Sequence, residues 1–267
     1  MGKIIAVANR KGGVGKTTTA INLSACLAEQ GMKVLTVDID PQGNTTSGLG
    51  IDKNTLDMTT YQLLLGECSV EECMIESILP NLLVLPSDDN LSGAEIELIG
   101  IDDKEYILKK QIEGISDFFD YVIIDCPPSL SMLTVNAMTT ADAVLVPIQC
   151  EFYALEGLSQ LLHTIDLVRE RLNPKLQIEG IVFTMYDSRT NLSAQVVESV
   201  NSYLDRDVYK AIIPRNVRLA EAPSHGLPVN LYDPKSTGAE AYRALAEEVM
   251  KKDKKILSMG TFSTKKK

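Results

Sequence analysis

The segment Lys11-Gly12-Gly13-Val14-Gly15-Lys16-Thr17 constrains this chain more than any other. It follows an apolar, β-branched run at Ile4–Ala8 and opens a helical pattern over Thr17–Gln30, which Gly31 closes. Glycines between a strand and a helix let the backbone turn its N–H groups inward, and the unpaired amides of the helix N-terminus add positive potential. That order of elements makes a cradle for phosphate. Within it Lys16 is placed to reach β- and γ-phosphates, and the Thr17 hydroxyl to ligate Mg²⁺. Gly12, Gly13, Val14, Gly15 and Thr18 supply the surrounding contacts. The general pattern Gly-x-x-x-x-Gly-Lys-[Ser/Thr] is met with its first position relaxed, Lys11 being read in place of the first glycine. One triphosphate does not readily take two lysines from the same side, so Lys11 needs another use.

Two acidic strand ends complete a nucleotide site. Val37-Asp38-Ile39-Asp40-Pro41-Gln42-Gly43-Asn44 closes the second apolar run, at the edge where open α/β sheets hold ligands. Asp40 is a candidate to orient an attacking water or to accept its proton. Asp38 reads either as support for a metal shell or as a cap that hydrogen-bonds the loop. Tyr121-Val-Ile-Ile-Asp125 is an apolar strand ending in an acid, the Walker B pattern. Asp125 is therefore the candidate to hold Mg²⁺ through a coordinated water.

Further apolar runs at Val34–Val37, Leu82–Leu85, Tyr121–Ile124, Ala143–Pro147, Ile178–Phe183 and Val208–Ile213 are near-continuous, as in strands covered on both faces. Helical patterns lie between them at Leu91–Gly100, Lys104–Asp117, Leu130–Thr140, Ala154–Arg171, Ser193–Leu204 and Thr237–Lys252. The alternation predicts an α/β fold: a single-domain, doubly wound, mostly parallel sheet flanked by helices, with right-handed crossovers. That domain is expected over residues 1–254, and residues 255–267 read as a lysine-rich flexible tail.

Composition narrows the function. There is no apolar run long enough to span a bilayer. The N-terminus leads straight into a strand rather than a signal peptide, so a cytoplasmic location is expected. The five cysteines include no Cys-x-x-Cys pair, and the Cys68 to Cys73 spacing suits a metal poorly. Reduced, mostly buried thiols follow. His163 and His225 are the only histidines, which excludes a histidine-built metal centre. The net charge is −10, yet from Lys251 onward seven lysines against Asp253 give +6, leaving −16 for residues 1–250. A body so acidic does not attract nucleic acid through its overall field, so DNA binding would need local basic clusters.

The doubled lysine of the loop resembles the deviant Walker A motif of the ParA/MinD group of ATPases. Asp40-Pro-Gln-Gly-Asn44, Asp187-Ser-Arg-Thr190 and the stretch from Ile213-Pro-Arg-Asn to Pro-Ser-His-Gly226 are similar to the ParA/Soj chromosome and plasmid partition ATPases, over essentially residues 3–250. Asn9-Arg10 departs slightly from the family's more frequent Asn-Gln. The resemblance implies slow, partner-stimulated ATP hydrolysis with ATP and Mg²⁺ as cofactors. It implies an ATP-dependent homodimer in which Lys11 reaches the partner's nucleotide. That dimer would bind double-stranded DNA without sequence preference, on the nucleoid, until a ParB-like protein stimulates hydrolysis. It further implies DNA contacts from Arg189 and Arg218, with Lys210, Arg215 and Arg243 nearby, and an adenine-contacting surface at Met185, Pro214 and Asn216. By composition alone, each of these arginines reads as a solvated side chain or a local ion pair.

Three rivals are weighed. A MinD-like membrane-associated positioning ATPase would need an amphipathic C-terminal helix, and Gly260 with its neighbouring Ser and Thr residues is expected to interrupt one. No stable membrane association is therefore expected. An electron-transfer ATPase like the nitrogenase iron protein would need cluster-ligating cysteines, and Cys126 lacks a matching second ligand. A scaffold that binds ATP without turnover would have no use for Asp40.

Overall fold

Ile4 and Ala6 pack into the core on one face of a central sheet, while Ile5 and Val7 pack into the core on the other. Alternation across a strand sends successive side chains to opposite faces, so a run with no polar positions needs cover on both. The computed structural model, which describes residues 2–204 and 208–263, supplies that cover. Its strands are β1 (Lys3–Val7), β2 (Val34–Asp38), β3 (Ile75–Glu76), β4 (Leu82–Leu85), β5 (Tyr121–Asp125), β6 (Ala143–Gln149), β7 (Gln177–Tyr186) and β8 (Val208–Pro214). They form one sheet in the order β3-β4-β2-β5-β1-β6-β7-β8. All pairings are parallel except that of β3 with β4.

The α-helices are α1 (Lys16–Glu29), α2 (Asn44–Gly48), α3 (Thr60–Leu65), α4 (Val70–Cys73), α5 (Leu91–Glu97), α6 (Ile107–Ile112), α7 (Met132–Thr140), α8 (Ala154–Arg171), α9 (Asn191–Tyr203), α10 (Val217–Glu221), α11 (Val229–Tyr232) and α12 (Thr237–Ser263). On one face, α1 and α12 bury Ile21, Leu23, Leu27, Tyr242, Leu245 and Val249 against Ile5, Val7 and Ile123. On the other, Leu63, Leu108, Leu133, Met138, Leu158 and Val196 from α3 to α9 cover Ile4, Ala6, Val122 and Val144. The doubly wound architecture is as the sequence predicts. β1 lies between β5 and β6, so the chain leaves it in one direction to β2 and returns on its other side. That reversal opens a crevice at the strand C-termini, where ligands bind in such sheets.

Three local expectations change. The single helix expected over Lys104–Asp117 is a 3₁₀ turn at Lys104–Tyr106, then α6, then a second 3₁₀ turn at Ser116–Phe118, with Gly114 in the break. β3, a two-residue antiparallel edge, carries no sequence signal of its own. And α12 runs on through Gly260 to Ser263 rather than ending before a loose tail at Lys255; residues 264–267 of that tail lie outside the described residues. Among the described residues no helix is long and apolar enough to cross a membrane.

Candidate nucleotide site

The loop leaves β1 at the crevice and enters α1 through Gly15, the helix N-cap, at φ 88°. That left-handed conformation is one only glycine adopts without strain. A Cβ on Gly12 or Gly13 would meet no atom within 4 Å, so the space over the loop is open. The loop is anchored from both sides. Thr184 on β7 donates to the Val14 carbonyl (2.8 Å), and the Asn9 amide bridges the Pro147 carbonyl (2.7 Å) to the Lys11 N–H (3.0 Å). The first turn of α1 presents its free amides toward this space.

Lys16 is buried, 6% exposed, and its ammonium donates to the Lys11 carbonyl at 3.0 Å. Burial lowers its pKa, while the nearby Asp125 and Asp40 carboxylates act the other way. Asp125, at the end of β5, is fully buried; its Oδ2 accepts from the Thr45 hydroxyl at 2.8 Å. Burial, reinforced by the Asp38 charge, raises the Asp125 pKa, and the Thr45 and Thr17 hydroxyls offset only part of that. Its Oδ1 makes no hydrogen bond of ordinary geometry, although the Thr17 hydroxyl lies close to the carboxylate. A buried carboxylate oxygen left unsatisfied is costly, and a cation would remove the cost.

Asp38, at the end of β2, accepts from the Thr46 N–H (2.8 Å), the Thr46 hydroxyl (2.7 Å) and the Asp40 N–H (3.2 Å). Every one of these contacts shapes the loop, as the capping reading of Asp38 expects. Burial still pushes its pKa upward. Asp40 is 7% exposed; its Oδ1 accepts from the Gln42 N–H at 3.0 Å, and its carbonyl accepts from Ser87 Oγ at 2.8 Å. Gly43, at φ 58°, makes the turn into α2, and a Cβ there would strike Lys53 and the Ser87 carbonyl at 2.6 and 2.7 Å.

Two carboxylates, Asp125 and Asp40, thus act on one ammonium, with Asp38 behind them and the Thr17 hydroxyl beside Asp125. Among the described residues no group of three or more His, Cys, Asp and Glu is arranged to hold a metal. The donor set instead fits Mg²⁺, which keeps several waters and takes one or two protein oxygens together with phosphate. The residues present fit Mg²⁺ with a nucleotide polyphosphate, and the orphaned Asp125 Oδ1 is the clearest sign.

Lys11 stands apart from this cluster. Its side chain is 40% exposed and ion-paired with Glu151, in the turn after β6. Counting back from Gly15-Lys16-Thr17, the pattern's first glycine position is Arg10, not Lys11, so Lys11 is a second cation beside that position rather than its occupant. The neighbouring Phe152 and Tyr153 are 78% and 63% exposed and pack edge to face. Glu151 was not legible as a site residue, since nothing in its local sequence distinguishes it from a surface acid.

Met185, next to last in β7, and Pro214, the last residue of β8, lie on adjacent parallel strands, where Tyr186 is in register with Pro214 and the Arg215 N–H donates to the Tyr186 carbonyl at 2.9 Å. Met185 has φ 50°, uncommon for a side chain of its size and most often found at functional sites. Asn216 caps α10: its Oδ1 accepts from the Arg218 N–H (2.8 Å) and its Nδ2 donates to Thr237 Oγ1 (2.7 Å). Its amide therefore serves the fold here. Arg189 is held by Asp187 in a two-pronged pair (2.9 and 2.7 Å), and Arg218 by Glu221 (2.8 Å) and Asp233 (3.1 Å). Local ion pairs, the reading from composition alone, are what the single chain contains. Arg243 pairs with Glu29 and donates to the Pro234 carbonyl, next to the Asp233 that holds Arg218. Cys126 is fully buried, and burial raises its thiol pKa.

Comparison with known proteins gives the same direction. An AAA domain family model matches residues 2–178. The sporulation initiation inhibitor protein Soj of Bacillus subtilis is 56% identical over 93% of this chain and 98% of its own length. The chain belongs to the ParA/Soj family of partition ATPases. A second member, the chromosome partitioning protein ParA of Myxococcus xanthus, is 53% identical over 95% of this chain and 89% of its own. Among solved structures, a cobyrinic acid a,c-diamide synthase from Mycobacterium smegmatis with bound ATP analog and magnesium matches with a TM-score of 0.84. It is 39% identical over 95% of this chain and 96% of that one. The fold is thus shared with a protein that holds ATP analog and magnesium in its crystal.

Proposed function

We propose that this chain is a DNA partition ATPase whose ATP-bound form pairs face to face over the phosphate loop, binds DNA without sequence preference, and is released when a ParB-like partner stimulates hydrolysis. The observation that carries the reading is the division between the two lysines. Lys16 lies buried within its own carboxylate cluster, whereas Lys11 sits on the rim, partly exposed and held only by Glu151.

In this reading the loop amides and Lys16 bind the β- and γ-phosphates of ATP. Thr17 and Asp125 hold Mg²⁺, which neutralises phosphate charge. Asp40 orients the attacking water and accepts its proton. Lys11 leaves Glu151 for the partner's phosphates, so each loop is both a nucleotide site and an interface. Met185 and Pro214 flank the adenine, with Asn216 beside them once its hydrogen bonds to the fold are exchanged. Arg189 and Arg218 meet DNA phosphate by trading Asp187, Glu221 and Asp233 for it. Exposed pairs of this kind are worth little in water, so the exchange is cheap. Pairing doubles the basic patch, which is how an acidic body binds DNA at all. The protein would then act in the cytoplasm on the nucleoid.

The test is a DNA shift assay with ATP, with ADP and without nucleotide, dimer mass being measured alongside by light scattering. ATP-only dimerisation together with ATP-only DNA binding supports the reading; DNA binding that ignores nucleotide removes it. Because α12 continues through Gly260, the helix break that argued against a MinD-like membrane reading is gone. Liposome flotation with ATP decides that point, and no co-flotation is expected.

A further inference from the structure

Cys68 precedes α4, a single helical turn at the edge of the sheet that leads into β3, and Cys73 is its last residue. Their sulfur atoms are 2.9 Å apart, within about 1 Å of a disulfide bond length. The turn is held from outside the pair: Ser69 and Glu72 form a capping box, with the Ser69 N–H donating to Glu72 Oε2 (2.8 Å) and the Glu72 N–H to Ser69 Oγ (3.3 Å). The sulfurs are therefore brought together by a preformed turn, and bridging needs little backbone movement. Cys68 is partly exposed while Cys73 is buried, its thiol directed at the Thr59 carbonyl at 3.5 Å. An accessible sulfur backed by a sheltered one is the arrangement of an attacking and a resolving cysteine.

We propose that Cys68 and Cys73 form a reversible intramolecular disulfide, a redox modification site distinct from the nucleotide cluster, with a small-molecule disulfide as oxidant. In the first step the Cys68 thiolate attacks the oxidant RSSR, forming a Cys68–S–S–R bond and releasing RS⁻. In the second, the Cys73 thiol gives up its proton to solvent and its sulfur attacks Cys68 Sγ, expelling the second RS⁻. Two protein thiols are oxidised and one external disulfide is reduced to two thiols. Burial raises the Cys73 pKa, so Cys73 enters only at the second step, when its target is already in contact. Cys26, Cys126 and Cys150 are buried as well, each with its pKa raised by burial, and none has a sulfur neighbour among the described residues. They stay reduced.

The test exposes the native, full-length, reduced protein to oxidised glutathione and maps its peptides by mass. The expected product is a Cys68–Cys73 bridge, two hydrogens lighter, with the thiols alkylatable after denaturation falling from five to three and returning on treatment with dithiothreitol. Cys73→Ser should instead accumulate a stable glutathione adduct on Cys68, and Cys68→Ser should leave Cys73 unmodified with nucleotide binding unchanged. A wild-type protein that still shows five free thiols once denatured, or retains glutathione on Cys68 without bridging, overturns the proposal. The wild-type mapping decides this even if a variant folds poorly.

Discussion

Replacing Asp125 with Asn should make the nucleotide-free protein more stable while weakening its response to Mg²⁺ and ATP. The carboxyl is fully buried, one oxygen bonded to Thr45 and the other unpaired. Asn keeps an oxygen for the Thr45 hydroxyl and removes the charge. The amide NH₂ that replaces Oδ1 is no better satisfied, so the gain is that of removing a buried charge, at least about 1–3 kcal/mol at neutral pH and a rise in Tm of roughly 2–10 °C. The effect has a pH signature. The Asp125 pKa is pushed up from 3.8 to about 8, mainly by burial and then by the Asp38 charge. The folded chain then holds this proton more tightly than the unfolded chain, so its contribution to stability falls as pH rises between those values. In the variant that slope is gone. Thermal unfolding across about pH 3 to pH 8 should show a gain near zero at the acid end, below the unfolded pKa, that grows toward the alkaline end. Adding Mg²⁺ and ATP should then stabilise wild type more than the variant, because the variant lacks the Asp125 charge for the cation to pair. A gain that does not change with pH, or a Mg²⁺-ATP shift equal in the two proteins, would refute the assignment of Asp125 to the metal.

The remaining predictions concern the loop and its rim. Lys16→Ala removes a charge-assisted donor worth about 1.5–3 kcal/mol for each phosphate bond it makes, so ATP affinity by titration calorimetry should fall at least about tenfold; unchanged affinity would contradict the site. Asp40→Ala should bind ATP but turn it over at least about a hundredfold more slowly, leaving a dimer that stays on DNA in sedimentation and shift assays. Arg189→Glu and Arg218→Glu should each keep ATP-driven dimerisation while losing DNA, and wild-type DNA affinity should fall steeply with salt. Retained shifts in both variants at low salt would place the DNA surface elsewhere.

Much of this was legible in the sequence because parallel strands covered on both faces leave uninterrupted apolar runs. Ile4–Ala8 and Tyr121–Ile124 were readable for that reason, and so were the acids that end β2 and β5. The part that escaped has physical causes. β3 is two residues of an edge pairing whose existence depends on β4, so no local pattern announces it. The segment between β2 and β4 holds three short helices, two of which begin at capping boxes, Thr59 with Gln62 and Ser69 with Glu72; those signals were present in the residues. Thr45, Thr46 and Ser87 are ordinary loop residues whose roles come only from where the fold puts their hydroxyls, against Asp125, Asp38 and the Asp40 carbonyl. Arg189 and Arg218 show the reverse case. Their positions follow from the family's motifs, while the acids that hold them in the single chain are visible only in three dimensions.

The division of labour between Lys11 and Lys16 is tested most directly by Lys11→Ala, with ATP affinity and dimer mass measured on the same preparation. Lys11 lies on the rim and touches Glu151 rather than the carboxylate cluster, so the variant is expected to bind ATP within about threefold of wild type and yet remain monomeric at saturating ATP. A variant that dimerises normally, or one that loses ATP as Lys16→Ala does, would show that both lysines serve a single nucleotide.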